Sequence, residues 1–266
     1  MDLLSIYLSV CLSVCLSVYL SIYLSIYLSI YLSIYLSIYL SIYLSIYIHI
    51  YIHIFRPYMA LLETMVNGKT HHCGGFLLNE EFVMTAAHCH AGHPNVLLGL
   101  HNFNKKENIQ TISAAKLFPR KDYDPAEFRN DLMLIKLSSK ATLSSNVRPI
   151  VLADHNDPAP ESCIVSGWGR HDNTELMSVV LREVNLTLIN NELCEDHNSY
   201  CSEGEKRPAE GDSGGPLVCE NGKAYGVVSS YKTTTNGQKM SYFTKISDYR
   251  EWIDSLHPVH LNQSFN

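Results

Sequence analysis

Residues 184–188 read Val-Asn-Leu-Thr-Leu, with apolar and polar side chains in strict alternation. Successive side chains of a β-strand point to opposite faces, so this segment has one buried face and one solvated face. After Arg56 the chain consists of short apolar runs separated by Asn, Gly, Asp and Pro: 76–78, 82–84, 96–98, 132–137, 163–165 and 225–228. Many short strands between turn residues are typical of sandwiches and barrels, so the sequence predicts an all-β body.

A helix is predicted only near the end of the chain, over Ser247–Leu256. Ser247 can serve as the N-cap, and Asp248 places a negative charge in the first turn. Trp252 can then pack inward against the body.

Charge is distributed very unevenly along the 266 residues. From Leu3 to Phe55 there is no Asp, Glu, Lys or Arg, and this stretch holds ten of the 17 tyrosines. The remaining residues, which are numerous enough to bury a full core, carry all 20 basic side chains and a net charge of −5. Because nucleic-acid binding needs clustered Lys and Arg, this mild acidity argues against a nucleic-acid partner.

Residues 1–55 form a low-complexity segment built on a period of four. Ser-Ile-Tyr-Leu occurs in six uninterrupted copies at residues 21–44, preceded by Ser-Val-Cys-Leu copies that contain Cys11 and Cys15. A helix with this period turns serine to every face, whereas a strand gives an aggregation-prone ribbon. Repeated TCTA translates as Ser-Ile-Tyr-Leu and repeated TCTG as Ser-Val-Cys-Leu. We therefore hypothesise that residues 1–54 are translated simple-sequence DNA outside the fold, which sequencing the 5′ end of the transcript would test.

A membrane segment is the rival interpretation of this repeat, because the uncharged run exceeds the roughly 20 residues that span a bilayer. A secretory signal is less convincing, since Asp2 stands where a positive charge is expected. We assign no role to Cys11 and Cys15.

Six cysteines remain in the body, and an even number in an all-β domain indicates disulfides and an oxidising compartment. Asn185 and Asn262 begin glycosylation sequons, which matter only in a secreted chain. The runs His71-His72-Cys73 and His88-Cys89-His90 suggest zinc, but their spacing matches no standard zinc module, so no metal is expected.

The most informative motif is Gly211-Asp212-Ser213-Gly214-Gly215-Pro216. Its glycines permit a tight turn and leave the N–H groups of Gly211 and Ser213 able to converge on one point. Such donors, aimed where an oxyanion develops, contribute roughly 3–4 kcal/mol each. Gly-x-Ser-x-Gly also fits the nucleophile elbow of α/β-hydrolases, with Asp254 and His257 following the serine. That alternative lacks the strand–helix–strand pattern it requires.

Two upstream motifs supply partners for the serine. Met84-Thr-Ala-Ala-His88-Cys places a histidine that can accept the serine proton, and Asn130-Asp131-Leu-Met-Leu-Ile places a carboxylate ahead of an apolar strand. The carboxylate can hold the other imidazole N–H. The order His88, Asp131, Ser213 thus indicates nucleophilic catalysis.

These motifs, with Ser166-Gly-Trp-Gly169, resemble those of the chymotrypsin-like (trypsin-fold) serine proteases. Arg56-Pro-Tyr-Met-Ala60 and His72-Cys-Gly-Gly-Phe76 are similar to the granzyme and mast-cell protease branch. The resemblance runs from about Arg56 to about His257.

The resemblance implies two antiparallel Greek-key β-barrels, at about 56–150 and 160–245, with a helix at 247–256, a domain over 56–258 and a tail at 259–266. It implies that His88 and Asp131 come from the first barrel and Ser213 from the second. It also implies three bridges, Cys73–Cys89, Cys163–Cys219 and Cys194–Cys201.

Three departures from the family pattern affect the expected activity. No Ile-Ile-Gly-Gly or Ile-Val-Gly-Gly precedes Arg56, although the resemblance implies that such an α-amino group pairs with Asp212. Without it we expect Asp212 to turn outward, to draw the Gly211 N–H away and to leave the chain zymogen-like. The Cys201–Ser213 loop is about three residues shorter than in granzymes, and Tyr231 stands where the resemblance implies a glycine.

The specificity pocket is expected to involve Arg207, Ser229, Ser230 and Tyr231. Counting back from Ser213, the resemblance implies that Arg207 falls at the pocket floor, where its guanidinium would favour cleavage after Asp or Glu. The alternative is that the shortened loop points Arg207 to solvent, and Tyr231 is expected to crowd the pocket.

The sequence therefore predicts a secreted or granule-stored serine endopeptidase that acts on protein or peptide substrates without a cofactor. We expect a monomer that protease inhibitors can bind. Two alternatives stay open: a protease-fold protein that binds partners without cleaving them, and a membrane-tethered protease if residues 3–55 span a bilayer.

Overall fold

The computed structural model describes residues 3–54, 56–105, 109–170, 176–190 and 192–256. They divide into two compact units, residues 1–53 and residues 54–266. The first unit is essentially one helix, α1 (Leu3–Ile54). The second contains twelve strands and two short helices: β1 (Met59–Val66), β2 (Lys69–Leu77), β3 (Phe82–Thr85), β4 (Asn95–Leu98), β5 (Gln110–Pro119), β6 (Met133–Leu137), β7 (Ser162–Gly167), β8 (Arg182–Thr187), α2 (Glu192–Asp196), β9 (Ser199–Glu203), β10 (Pro216–Cys219), β11 (Ala224–Thr233), β12 (Lys239–Lys245) and α3 (Arg250–Leu256).

Helix α1 has no polar face, because the four-residue period carries serine around the helix. Serine hydroxyls from Ser17 to Ser41 donate to the carbonyl three residues earlier at 2.9–3.0 Å, which satisfies them within the helix. Tyrosines four residues apart stack with centroids 5.9–6.4 Å apart. The part Cys11–Leu44 is long and apolar enough to cross a membrane, by length and composition.

The first barrel is closed and antiparallel, in the order β1-β2-β3-β6-β5-β4. Apolar residues that alternate along the strands fill it, among them Leu62, Phe76, Met84 and Leu134, each at most 2% exposed. The disulfide Cys73–Cys89 ties β2 to the 3₁₀ turn Ala87–Cys89, which follows β3. This bridge fixes the segment that carries His88.

The second sheet has six antiparallel strands in the order β8-β7-β10-β11-β12-β9. Its edges approach through a single bridge between Ile189 and Cys201, which nearly closes it. The disulfides Cys163–Cys219 and Cys194–Cys201 lie within this half. The predicted all-β trypsin-like architecture with a C-terminal helix is confirmed.

The C-terminal helix differs in detail from the prediction. It begins as a 3₁₀ turn over Ser247–Tyr249 and continues as α3. Ser247 does not cap it: Ile246 holds the N-cap position, and the Ser247 hydroxyl bonds the Asp248 carboxylate at 3.1 Å. Trp252 packs against the first barrel core, as expected.

Candidate active site

His88 and Asp131 are joined by two hydrogen bonds. Asp131 lies just ahead of β6 and is fully buried. Its Oδ1 accepts from the backbone N–H of His88 at 2.9 Å, and its Oδ2 lies 2.7 Å from His88 Nδ1. Because a carboxylate only accepts, Nδ1 carries the proton and Nε2 keeps a lone pair. The pair therefore has the geometry of an oriented general base.

Two further residues enclose this pair. The hydroxyl of Ser229, which is buried on β11, donates to Asp131 Oδ2 at 2.6 Å. The ring of Phe128 meets the His88 ring edge-on, with centroids 5.6 Å apart. Both contacts restrict the rotation of the imidazole and carboxylate groups.

Ser213 lies on the turn between β9 and β10, where the two barrels meet. Its carbonyl accepts from the N–H of Gly74 on β2 at 2.7 Å, and the N–H of Gly214 donates to the carbonyl of Val228 at 2.8 Å. Gly214 has φ +83°, and a Cβ there would overlap the Thr85 side chain. A glycine is therefore required directly after the serine.

Ser213 and His88 line one cleft of about 380 Å³. The uncharged side of this cleft comes from the loop before Ser213 and from β11 and β12: Pro208, Ala209, Val228, Ser229, Ser230 and Ser241. The structure thus brings two of the three sequence-predicted catalytic residues, His88 and Ser213, to one cavity, and the third, Asp131, is buried behind His88.

The predicted oxyanion donors face no competing acceptor among the described residues. Neither the N–H of Gly211 nor that of Ser213 donates to a backbone or side-chain acceptor in the part of the chain that the structure describes. Gly211 has φ +99°, a conformation that suits glycine alone. Gly211 itself lines a neighbouring cavity with Met177 and Ser178, and it is not among the described residues that line the cleft with Ser213.

Asp212 points inward, which contradicts the expectation that it turns outward. The residue is partly exposed, but its carboxyl group is enclosed: Oδ1 accepts from Gly169 N–H at 2.7 Å and Oδ2 from Ala209 N–H at 2.9 Å. No cationic side chain of the described residues pairs with it. Burial raises its pKa above the ordinary 3.8, and the two backbone bonds only partly oppose this. Burial therefore disfavours the charged carboxylate, while the two backbone N–H groups supply hydrogen bonds that keep the carboxyl group inside.

This raised pKa makes a testable contribution to stability. The folded chain keeps a proton on Asp212 that the unfolded chain releases above pH 3.8, so the group destabilises the fold as pH rises beyond that value. As pH rises above about 4, the free energy of unfolding should therefore fall more steeply than in Asp212→Asn, measured by urea denaturation. Glu251→Gln, an exposed change on α3, should leave the slope unaltered. If the free energy of unfolding depended on pH in the same way in wild type and in Asp212→Asn, Asp212 would not have a raised pKa in the folded chain.

Arg207 does not line the cleft, which contradicts its placement at the pocket floor, and it is half-buried outside the cleft. Its guanidinium lies over the Tyr231 ring, 4.3 Å from the centroid, and its Nη1 donates to the carbonyl of Pro208 at 3.3 Å. Among the described residues that line the cleft, Arg207 is absent and Tyr231 is present. Tyr231 is 54% exposed, so it forms a wall at the rim and does not fill the cavity.

Several cleft residues were missed in the sequence: Phe128, Pro208, Ala209, Val228 and Ser241. Ser241 is buried on β12, where it pairs in register with Tyr231. Only that long-range strand pairing brings it to the cleft, and no local motif marks it.

The remaining sequence-predicted residues are the cysteines and the two glycosylation candidates. The structure forms the three disulfides that the resemblance implies. Asn185 is exposed on β8, whereas Asn262 lies outside the described residues. Donor atoms of Cys73, His88 and Cys89 lie within 4.8 Å of one another, but the two sulfurs are bonded together and offer no thiolate to a metal.

Comparisons with known proteins agree with this geometry. A family model described as Trypsin matches residues 51–253. Granzyme-like protein 2 of Rattus norvegicus is 43% identical over 212 residues, covering 74% of this chain and 84% of the relative. Granzyme B(G,H) of Mus musculus is 42% identical over 213 residues, with coverages of 74% and 85%. Chymase of Canis lupus familiaris is 39% identical over 214 residues, with coverages of 76% and 85%.

Proposed function

The chain belongs to the trypsin family of serine proteases, and on that premise we propose that His88, Asp131 and Ser213 are its catalytic triad. The chain is a serine endopeptidase by family. The observation that carries the triad is the pair of hydrogen bonds between His88 and the buried Asp131, beside a cleft that also contains Ser213.

In the proposed mechanism, Ser213 Oγ attacks the carbonyl carbon of the scissile peptide bond while His88 Nε2 takes the hydroxyl proton. Asp131 stabilises the imidazolium without taking a proton. The tetrahedral intermediate collapses, the C–N bond breaks, and the amine leaves with the proton from His88. Water then attacks the acyl ester by the same route, which releases the acid and restores Ser213.

The N–H groups of Gly211 and Ser213 would donate to the developing oxyanion. Each such donor is worth about 10²- to 10³-fold in turnover. The left-handed Gly211 holds one of these donors, so its conformation controls the rate. We propose that this conformation depends on the state of Asp212, the next residue.

We propose that the 266-residue chain is zymogen-like. Asp212 is enclosed without a cationic partner among the described residues, and its two neutral backbone donors fix the neighbouring turn less firmly than an ion pair would. An α-amino group delivered into this enclosure would ionise the carboxyl and fix the turn.

A fluorophosphonate probe separates the protease from the alternative, a protease-fold protein that only binds partners. The probe reacts quickly only with a serine that has an oriented base and a formed oxyanion hole. Labelling at Ser213 after activation supports the protease. An activated chain that stays unlabelled, although folded, would favour the binding protein.

The proposed partners are protein or peptide substrates and protease inhibitors, and the proposed state is a monomer. We propose a secreted or granule location, in keeping with the three disulfides. If residues 3–55 belong to the natural protein, the apolar part of α1 would tether it to a membrane. Carbonate extraction of the native protein distinguishes a tethered from a released form.

The cleft points to substrates with an uncharged residue before the scissile bond. Apart from His88 and Glu210, its described lining is uncharged, and Arg207 is held outside it by Tyr231. We therefore propose uncharged side chains of modest size, in place of the acidic residues considered from the sequence. A peptide-library profile that favours Lys or Arg at this position would contradict the proposal.

Tyr231→Gly should open the rim of the cleft. Removing the ring gives larger side chains access, so the kcat/KM ratio for phenylalanine over alanine before the scissile bond should rise about tenfold. Tyr231→Phe keeps the wall and should leave the ratio unchanged. Both variants are measured in the activated form with matched peptide amides. An unchanged ratio in Tyr231→Gly would mean that the ring does not limit access.

A further inference from the structure

Asn130, the residue before Asp131, has a left-handed backbone with φ +57°. Only a few per cent of non-glycine residues adopt this conformation, and asparagine is among those that tolerate it. The carbonyl of Asn130 accepts from Leu132 N–H at 2.9 Å, which turns the chain tightly around Asp131. The direction of the Asp131 side chain therefore depends on how firmly Asn130 is held.

The side chain of Asn130 is held by two hydrogen bonds. Its Oδ1 accepts from the Tyr249 hydroxyl at 2.7 Å, and its Nδ2 donates to the carbonyl of Asp122 at 2.8 Å. Tyr249 belongs to the 3₁₀ turn before α3, and Asp122 follows β5. Two separate elements thus fix one side chain beside the proposed catalytic carboxylate.

Tyr249 is itself immobilised. It is 6% exposed, and its ring lies under the guanidinium of Arg120 at 5.0 Å, which also covers the Trp252 ring at 5.2 Å. Two bonds to the Asp122 carboxylate, at 2.6 and 2.9 Å, hold that guanidinium. Burial raises the pKa of the Tyr249 hydroxyl, with a hydrogen bond from Asn198 acting in the opposite direction. The hydroxyl therefore remains a donor to Asn130 at neutral pH.

We infer that Tyr249 and Asn130 are positioning residues that hold Asp131 toward His88, so that the C-terminal turn sets the geometry of the triad. This inference rests on the proposed function for its catalytic consequence. Its structural content, the dependence of the His88–Asp131 bond on the Tyr249 hydroxyl, can be measured without catalysis. The C-terminal segment then does more than cover the first barrel.

The test replaces Tyr249 by phenylalanine in the full 266-residue chain and follows the low-field proton NMR signal of His88 Nδ1–H. Losing the hydrogen bond from Tyr249 to Asn130 should speed exchange of this proton with water about two- to tenfold. Tyr225→Phe is the matched control, because Tyr225 is also buried and its hydroxyl accepts from Asn221 at 2.9 Å, with no described bond to Asn130. The control should lower the melting temperature similarly and leave the proton signal unchanged.

Variants of Asn130 distinguish the contribution of its side-chain hydrogen bonds from that of its left-handed backbone conformation. Asn130→Gly keeps the left-handed conformation and loses both side-chain bonds, so it should reproduce the exchange increase of Tyr249→Phe. The double variant should show no further increase, since both changes break the same bond. Additive effects would overturn the inference.

In the activated form, Tyr249→Phe should lower kcat two- to tenfold with KM unchanged. An exchange rate that matches wild type would overturn the inference even if fluorophosphonate labels Ser213. An unlabelled Ser213 with faster proton exchange would instead contradict only the proposed function.

Discussion

Turnover of a peptide amide should rise at least about 10²- to 10³-fold when residues 1–55 are replaced by an Ile-Ile-Gly-Gly start and the dozen residues that precede Arg56 in the family. The new α-amino group would enter the space around Asp212, where two backbone N–H groups now bind the carboxyl group. Pairing with the amine would ionise Asp212, fix the adjacent Gly211 and hold its N–H toward the oxyanion. The expected gain in turnover is the contribution of one hydrogen-bond donor to the oxyanion, the N–H of Gly211.

The control retains one extra residue before the first isoleucine, which removes the free isoleucine amine and changes nothing else. This form should be as inactive as the 266-residue chain. Stability provides a second readout: with the ion pair formed, Asp212 should no longer destabilise the fold as pH rises. Full amidase activity in the unprocessed 266-residue chain would show that Asp212 needs no amine.

Ser213→Ala in the activated form should lower turnover on the order of 10⁶-fold, because it removes the hydroxyl that is proposed to form the acyl ester. The backbone N–H groups remain, so the residual rate should still exceed that of the uncatalysed reaction. The fold should be intact: the carbonyl of Ser213, not its hydroxyl, accepts the bond from Gly74. Steady-state kinetics and thermal unfolding measure the two effects separately.

Ser230→Ala is the matched control, since Ser230 lines the same cleft and has no described bond to His88 or Asp131. It should retain turnover within about an order of magnitude. If Ser213→Ala kept comparable activity, the assignment of the nucleophile would fail. The same comparison excludes a contaminating protease, because a contaminant would produce the same turnover in every variant preparation.

The architecture was predictable because its determinants are local. Alternating runs such as residues 184–188 indicate a strand with one solvent-exposed face. The motifs around His88, Asp131 and Ser213 each occupy a few consecutive residues. The relation of the three motifs to one another came from the resemblance. Composition alone would have left sandwich and barrel undecided.

What could not be predicted depends on contacts between distant segments. Arg207 was counted onto the pocket floor, but the shortened loop brings its guanidinium onto Tyr231, some two dozen residues later in the chain. Asp212 was expected outside because burying a carboxylate without a partner is costly, whereas the backbone N–H groups of Gly169 and Ala209 bind its carboxyl group inside. Ser241 and Tyr249 act through strand pairing and helix docking, for which no short motif exists.

The placement of the disulfides has a consequence for self-digestion. Each of the three bridges stays within one barrel, while His88 and Asp131 belong to the first barrel and Ser213 to the second. A single cut in the connection between Leu137 and Ser162 would therefore leave two polypeptides with no covalent tie, each carrying part of the triad. Their reassociation would depend on concentration. A nicked enzyme would therefore be active at high protein concentration and would lose its activity on dilution alone.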